Sequence, residues 1–425
     1  MTASNDPAAA APGRPTAPAV TTKGRRFCQV WLAALLAVVA LVGAINALID
    51  PYLVIGAPRI AGLNAVKPEV ETHGQLAKDY VIARVHPVGV LLGDSKVDIG
   101  VDPDSPNWPA ESRPVFNYGV PGEAVVGVIA NLRRAIALGS LRRALVLIEL
   151  EHFMAPAEAD GVQPPELAMT PPSGLQDIRQ RASDLLLATL SLDALRASIL
   201  TVAAQGRPDT WNLSPAGATG EGGFRAMVAT DGTAALFLQK DSYLAQRTAH
   251  LAAGLSALPG AGLSHLDALA DMIALCRRNN ITLDLAIAPF HADYLEALDQ
   301  AGLWPRYEQA KQELTRLVAA EGGDSVRLWD FLGYDAYSTE PVPGASDRGG
   351  STNWFWEPSH FKRVLGEKIL ATIYRDAAGY GVRLTPDTIG VRLATEAQAK
   401  AVYQARINGS RDRLANVARL EPEPR

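Results

Sequence analysis

The sequence predicts an α/β protein: a five-stranded, mostly parallel sheet with helices on both faces, preceded by an N-terminal transmembrane helix and interrupted by a large, mainly helical insertion. Three observations lead there. Five short runs rich in Val, Ile and Leu read as strands buried on both faces, because they are nearly continuous rather than alternating. Segments of helical spacing separate them, and such alternation is what parallel crossover units produce. Residues 27–49 are 23 consecutive positions without a charge, enough to cross roughly 30 Å of hydrocarbon at about 1.5 Å per residue.

Residues 1–22 are rich in Ala, Pro, Thr and Ser and predict a disordered tail. Lys23, Arg25 and Arg26 precede the apolar segment, and Asp50-Pro51 ends it. The positive-inside rule then puts residues 1–26 in the cytoplasm and residues 50–395 outside it as one folded body. A cleaved signal peptide is the alternative, with "VGA" at 42–44 as the cleavage site. The run is longer than a usual signal-peptide core, which favours an uncleaved anchor.

The five strand runs are "VGVLL" (88–92), "PVFNYG" (114–119), "ALVLIEL" (144–150), "LDLAIAP" (283–289) and "VRLWD" (326–330). Residues 123–139 and 299–320 have the spacing of crossover helices. About 130 residues separate the third run from the fourth, far more than one crossover needs. This insertion, about 155–280, reads as a Pro-rich loop (155–174), a helical stretch (175–204), a second loop (206–233) and a further helical stretch (240–280). It is expected to form a lid or substrate wall over the sheet. After the fifth run come a long loop (332–358), a helix from Ser359 to about Ala378, and a charged tail or helix at 396–425.

The 425 residues are 48% apolar and 20% charged, with a net charge of −5 and no basic stripe, which excludes a nucleic-acid surface. Two cysteines, Cys28 and Cys276, are too few for a disulfide framework and read as small apolar residues.

Ligands in open parallel sheets bind outside the carboxyl ends of the strands. The polar residues just past each run are therefore the candidates: Asp94 and Ser95, Gly119 and Gly122, Glu151 and His152, His291, and Asp330. The loop before the last helix adds "WFWEPSHFK", with Glu357 and His360. A nucleophilic serine needs a base, a group to orient that base, and N–H donors for the oxyanion. Ser95 after a Gly-Asp turn, with Glu357 and His360 three positions apart, supplies the first three. Gly122 permits close backbone approach, and the Ser95 amide opens the following helix, so both are candidate oxyanion donors. Asp94, His152, His291 and Trp356 are candidate substrate contacts. His152, His291 and His360 lack short metal spacing, so no metal site and no cofactor is expected.

These blocks resemble the SGNH (GDSL-like) hydrolase superfamily, and within it the membrane-anchored bacterial branch similar to exopolysaccharide O-acetyltransferase and esterase domains. "LLGDSKVDIG" looks like the family's first block with Ser95 as nucleophile, and "FNYGVPGEAVVG" its second with Gly122 as oxyanion glycine. "WEPSHF" looks like its last, with His360 as base. The resemblance covers roughly 88–153 and 281–378; the insertion matches nothing in the family. It implies a three-layer α/β sandwich, SGNH/flavodoxin-like, and acyl chemistry on an envelope or exopolysaccharide carbohydrate, with a membrane acyl-donor protein as possible partner. It also implies a place on the bacterial inner membrane with the globular part periplasmic. Two positions depart from the pattern. Glu357 stands where the family has Asp. "IELEHF" stands where a Gly-x-Asn block supplies an oxyanion donor; Glu151 there would repel an oxyanion, and His152 is a candidate donor in its place. That second departure favours the alternative expectation, a non-catalytic scaffold or glycan-binding component.

Overall fold

The computed structural model describes residues 22–156, 175–347 and 349–407; the expected tail, most of the Pro-rich loop and the end of the charged C-terminal segment lie outside them. The chain begins with α1 (Thr22–Ile49), the one described helix that is by itself long and apolar enough to cross a membrane. Its Phe27, Trp31, Leu36 and Leu41 side chains are exposed.

The body then runs through α2 (Val70–Val85), β1 (Gly89–Leu92), α3 (Ser95–Gly100), β2 (Val115–Asn117), α4 (Val125–Ala137), β3 (Arg143–Ile148) and α5 (Leu150–Met154). The insertion contributes α6 (Leu175–Leu190), α7 (Leu192–Ala203), α8 (Gly222–Asp231), α9 (Thr233–Ala257) and α10 (Leu266–Arg278). There follow β4 (Thr282–Ile287), α11 (Ala292–Gln300), α12 (Trp304–Glu321) and β5 (Val326–Asp330). The chain closes with a small hairpin of β6 (Phe355–Glu357) and β7 (His360–Phe361), then α13 (Arg363–Arg375), β8 (Val382–Leu384) and α14 (Ile389–Ile407).

All five apolar runs are strands, in the order β2-β1-β3-β4-β5, and every pairing among them is parallel. A sixth strand, β8, adds antiparallel to the β5 edge. It is three residues long with Arg383 exposed, so no hydrophobic run announces it; pairing with β5 creates it. Alternate strand residues feed two cores. Val90, Val146 and Leu285 pack with α4, α10 and α12 on one face, while Leu91, Leu145 and Ala286 pack with Val97 of α3 and Leu365 and Ile369 of α13 on the other. The chain leaves β1 toward β2 and leaves β3 toward β4, so the sheet's switch point lies between the carboxyl ends of β1 and β3.

Two expectations need correction. The stretch 206–233 is not all loop: Gly222 and Gly223 open α8, whose Phe224 lies between Trp211 and Trp356, and this packing outweighs the glycines' poor propensity. The last crossover helix begins at Arg363, not Ser359. Glu357 accepts the Ser359 amide at 2.7 Å, closing a tight turn, so His360 starts a return strand instead of a helix.

Two buried charge clusters lock the layers. Lys311 of α12 lies 2.7 Å from Asp330 and 3.0 Å from Glu396, and Arg392 lies 2.8 Å from Asp330, which fixes α14 against β5. Asp330 is therefore spent on this cluster. Lys78 of α2 lies 2.6 Å from Asp98 of α3 and also donates to the Gly119 carbonyl. Asp98 accepts in addition from the Thr219 amide at 3.0 Å and hydroxyl at 2.6 Å. Burial lowers the Lys78 pKa, and the Asp98 charge works against that shift. Removing one member of such a pair strands the other, at about 3–5 kcal/mol. Asp98→Ala is expected to cost this much in thermal or denaturant unfolding of the detergent-solubilised chain, with part recovered in Asp98→Ala/Lys78→Met. A loss under about 1 kcal/mol would show that the pair does not anchor α3.

Candidate active site

Ser95 is the first residue of α3, directly past the carboxyl end of β1. Asp94 caps the helix, accepting the Lys96 amide at 2.9 Å. At the other end Asn117 donates to the Val97 and Val101 carbonyls at 2.8 and 3.0 Å, which ties the end of α3 to β2. Six residues make a poor helix alone, so these caps and its packing hold α3 in place.

The hairpin brings the base. His360 Nε2 lies 2.7 Å from Ser95 Oγ, and its Nδ1 bonds Glu357 Oε1. Glu357 is buried, whereas Ser95 and His360 are half-buried and reach solvent. Ser359 donates its hydroxyl to Glu357 at 3.0 Å, and Lys240 of α9 lies 4.0 Å from the same carboxylate. Burial pushes the Glu357 carboxyl up, but His360, Lys240 and the Ser359 amide more than reverse this, holding it at about 2. An ionised Glu357 fixes the proton on Nδ1 and leaves Nε2 to accept from the serine hydroxyl. A serine, a base and a buried orienter thus meet in the order nucleophilic catalysis requires.

Close backbone approach sets this geometry. A Cβ on Gly366 of α13 would run into the Gly100 carbonyl, and one on Gly100 would enter the Phe361 ring. Glycine at both places lets α13 and β7 sit directly on α3.

Gly122 follows β2 at φ +73°, with open space where a side chain would stand. Its loop is tied to the end of β1 by the Val120 amide, 3.0 Å from the Gly93 carbonyl. Gly119 packs under α3, where a Cβ would lie 2.8 Å from the Asp98 amide.

Past β3, two carboxylates occupy the region. Glu149 bonds Lys96 and lies 3.0 Å from Arg247; Glu151 lies 2.6 Å from Arg247 and accepts from Tyr294 at 3.2 Å. Lys96 also lies 2.8 Å from Asp94. Burial pushes Asp94 up to about 6. Glu149 stays well below the usual carboxylate range because Lys96 and its other partners outweigh burial. The charges expected to disturb this end of the sheet are held by Lys96 and by Arg247, an insertion residue sequence reading missed.

Several expected substrate contacts have other work. Asp94 is a helix cap and a partner of Lys96. His291 is 2% exposed, with Nε2 2.9 Å from the Glu340 carbonyl, Nδ1 3.3 Å from Asp293, and the Phe237 and Phe355 rings at its sides. It is a core histidine, contrary to its expected place against substrate. Trp356 is likewise buried, stacked on Phe224 with Lys362 Nζ 4.5 Å from its ring centre. His152 lies 3.8 Å from Glu149, and burial lowers its pKa despite that carboxylate. Sequence reading also passed over Phe224, whose ring centre is 5.2 Å from that of His360.

Because the Glu357 pKa in the fold, about 2, lies below its ordinary 4.5, ionised Glu357 stabilises the fold above pH 4.5, and that contribution is lost as pH falls toward 2. Glu357→Gln is therefore expected to unfold at lower temperature than the parent at pH 7, with the gap narrowing below pH 4.5; a gap constant from pH 7 to 3 would contradict the assignment. Gly366→Ala is expected to move α13 off α3 and to cost about 1–3 kcal/mol of stability, with slower modification of Ser95 by a fluorophosphonate. Unchanged stability and labelling would show that the contact tolerates a methyl group.

No protein-family model matches the chain, and no curated protein matches it.

Proposed function

We propose that the chain is a membrane-anchored, SGNH-like serine acyl esterase or O-acyltransferase with a three-layer α/β body. It acts on O-acyl groups, foremost O-acetyl, of an envelope or exopolysaccharide carbohydrate. The observation that carries this reading is the 2.7 Å contact between Ser95 Oγ and His360 Nε2, residues 265 positions apart, with Glu357 behind the imidazole.

In this reading His360 takes the hydroxyl proton as Ser95 Oγ attacks the acyl carbonyl, and Glu357 holds the resulting imidazolium. The Ser95 and Gly122 amides face the oxyanion. Collapse expels the carrier group of the acyl donor, the carbohydrate oxygen in hydrolysis or the partner's carrier in transfer, which takes its proton from His360 and leaves an acyl-Ser95 ester. Water or a sugar hydroxyl, deprotonated by His360, then releases the acyl group and restores the serine. The basic residues Lys23, Arg25 and Arg26 before the apolar segment favour a cytoplasmic N-terminus and a periplasmic body at the inner membrane. A membrane partner would then supply acyl groups where transfer is the reaction.

A non-catalytic, glycan-binding scaffold is the second reading, favoured by the carboxylates past β3 where the family has an amide donor. The two separate on hydrolysis of p-nitrophenyl acetate by the full chain in detergent. Ser95→Ala and His360→Ala are each expected to lower turnover by about 10³-fold or more, and a fluorophosphonate should label Ser95. Equal rates for the parent and Ser95→Ala would leave the scaffold reading.

A further inference from the structure

The insertion presents an apolar surface that the other described residues do not cover. Helices α6 and α7 meet at an elbow of 59° around Ser191. From Leu185 to Leu192 the sequence "LLLATLSL" has no charge, and Leu186, Leu190 and Leu192 are 58%, 46% and 79% exposed. On α7, Ile199 adds a further 61% exposed side chain.

The elbow sits on the anchor helix. Asn46, fully buried, donates to the Thr189 carbonyl at 2.8 Å and accepts from the Ser198 hydroxyl at 2.8 Å. A Cβ on Gly43 would lie 3.2 Å from Leu190. Contact thus reaches Gly43, six residues before the end of α1 at Ile49, or about 9 Å at 1.5 Å per residue. The exposed side of α1 over this span, Ile45 and Leu48, is apolar as well.

The hydroxyls of the elbow bond its own backbone, while Asp193 and Arg196 of α7 stay exposed, which places the elbow at the headgroup level rather than in the bilayer core. The Thr189 and Ser191 hydroxyls donate to the Leu185 and Leu187 carbonyls at 2.6 and 2.7 Å, and Ser191 Oγ accepts the Ala194 amide at 2.9 Å. Asp193 accepts from the Tyr52 hydroxyl at 2.7 Å, and Asp184 from that of Tyr80 at 3.0 Å. A helix break that satisfies its own backbone while presenting leucines outward suits hydrocarbon. The depth of about 9 Å matches the roughly 5–10 Å to which interfacial helices insert.

We propose that the α6–α7 elbow is a second membrane-contacting element, dipping its leucines into the lipid interface beside α1. The occupant of the surface is lipid acyl chain, because whatever surrounds the exposed face of α1 at Gly43–Ile49 also surrounds the elbow bonded to it. The proposal rests on α1 spanning the bilayer. It adds that the body is held against the membrane at two places and cannot swing freely on a single helix.

The test uses the full chain in Cys28→Ser background, where the remaining Cys276 is buried. Single cysteines replace Leu186 or Leu192 on the elbow, Val39 in α1, or Val402 on α14, an exposed apolar position elsewhere. Each is labelled with an environment-sensitive fluorophore and reconstituted into phosphatidylglycerol/phosphatidylethanolamine vesicles containing nitroxide lipids. The expected result is blue-shifted emission and at least twofold quenching by shallow nitroxides at 186 and 192, deeper quenching at 39, and none at 402. Quenching at 39 with water-like emission at 186 and 192 would overturn the elbow's role and leave the anchor intact. Elbow probes shielded from both lipid nitroxide and aqueous iodide would mean a protein partner or second copy covers the surface, which also overturns it. An unquenched probe at 39 would remove the anchor and the elbow proposal together.

Discussion

The buried Lys78–Asp98 pair is the constraint on which the rest of the site depends. Two ionised groups this deep cost several kcal/mol each to desolvate, and only a full set of partners offsets that. The partners come from four places: α2 gives Lys78, α3 gives Asp98, the turn after β2 gives the Gly119 carbonyl, and the insertion gives Thr219. Satisfying one ion pair therefore fixes where the Ser95 helix lies against everything around it. Its far side is set by sterics instead, through the Gly100–Gly366 approach that seats β7 and His360. A charge on one side and two missing side chains on the other define the Ser95–His360 distance.

The insertion is a structural part of the site. Ala216 accepts the Asn117 amide at the edge of β2, Thr219 completes the Asp98 cluster, and Phe224 packs on His360 and Trp356. From α9, Lys240 and Arg247 place positive charge beside Glu357 and beside Glu149 and Glu151. Its other end rests on α1 and reaches α2 through the Tyr80–Asp184 bond. Since α2 also carries Lys78, the elements at α1 and at Ser95 share one helix.

What could be read in the sequence follows from which interactions are local. The five central strands were legible because burial on both faces forces runs of Val, Ile and Leu, and Ser95, Glu357 and His360 because each follows such a run or sits in a short acid-x-x-His block. The hairpin at 355–361 was not, since a Glu357–Ser359 turn and a Ser359 helix cap begin with the same residues. His291 and Trp356 were misplaced for a related reason. Position after a strand or beside other aromatics says nothing about Glu340, Asp293 or Phe224, which arrive from elsewhere and bury them. Lys78 carried no signal either, lying in a helix of weak periodicity far from any motif.

The segment past β3 shows how such distant partners change a chemical reading. Taken alone, "IELEHF" puts two carboxylates at an end of the sheet where a developing oxyanion needs positive potential. In the fold Lys96 and Arg247 face Asp94, Glu149 and Glu151, so three acids share two bases. Burial also pushes Asp94 up to about 6, so it loses its charge only as pH falls below that value. Arg247 lies 98 residues from Glu149, on a helix the insertion alone supplies. A serine site beside these acids is electrostatically tolerable only with that arginine present. The insertion and the acids past β3 are thus two halves of one arrangement: without Arg247, Glu149 would be left to Lys96 and Glu151 to the Tyr294 hydroxyl, beside the proposed nucleophile.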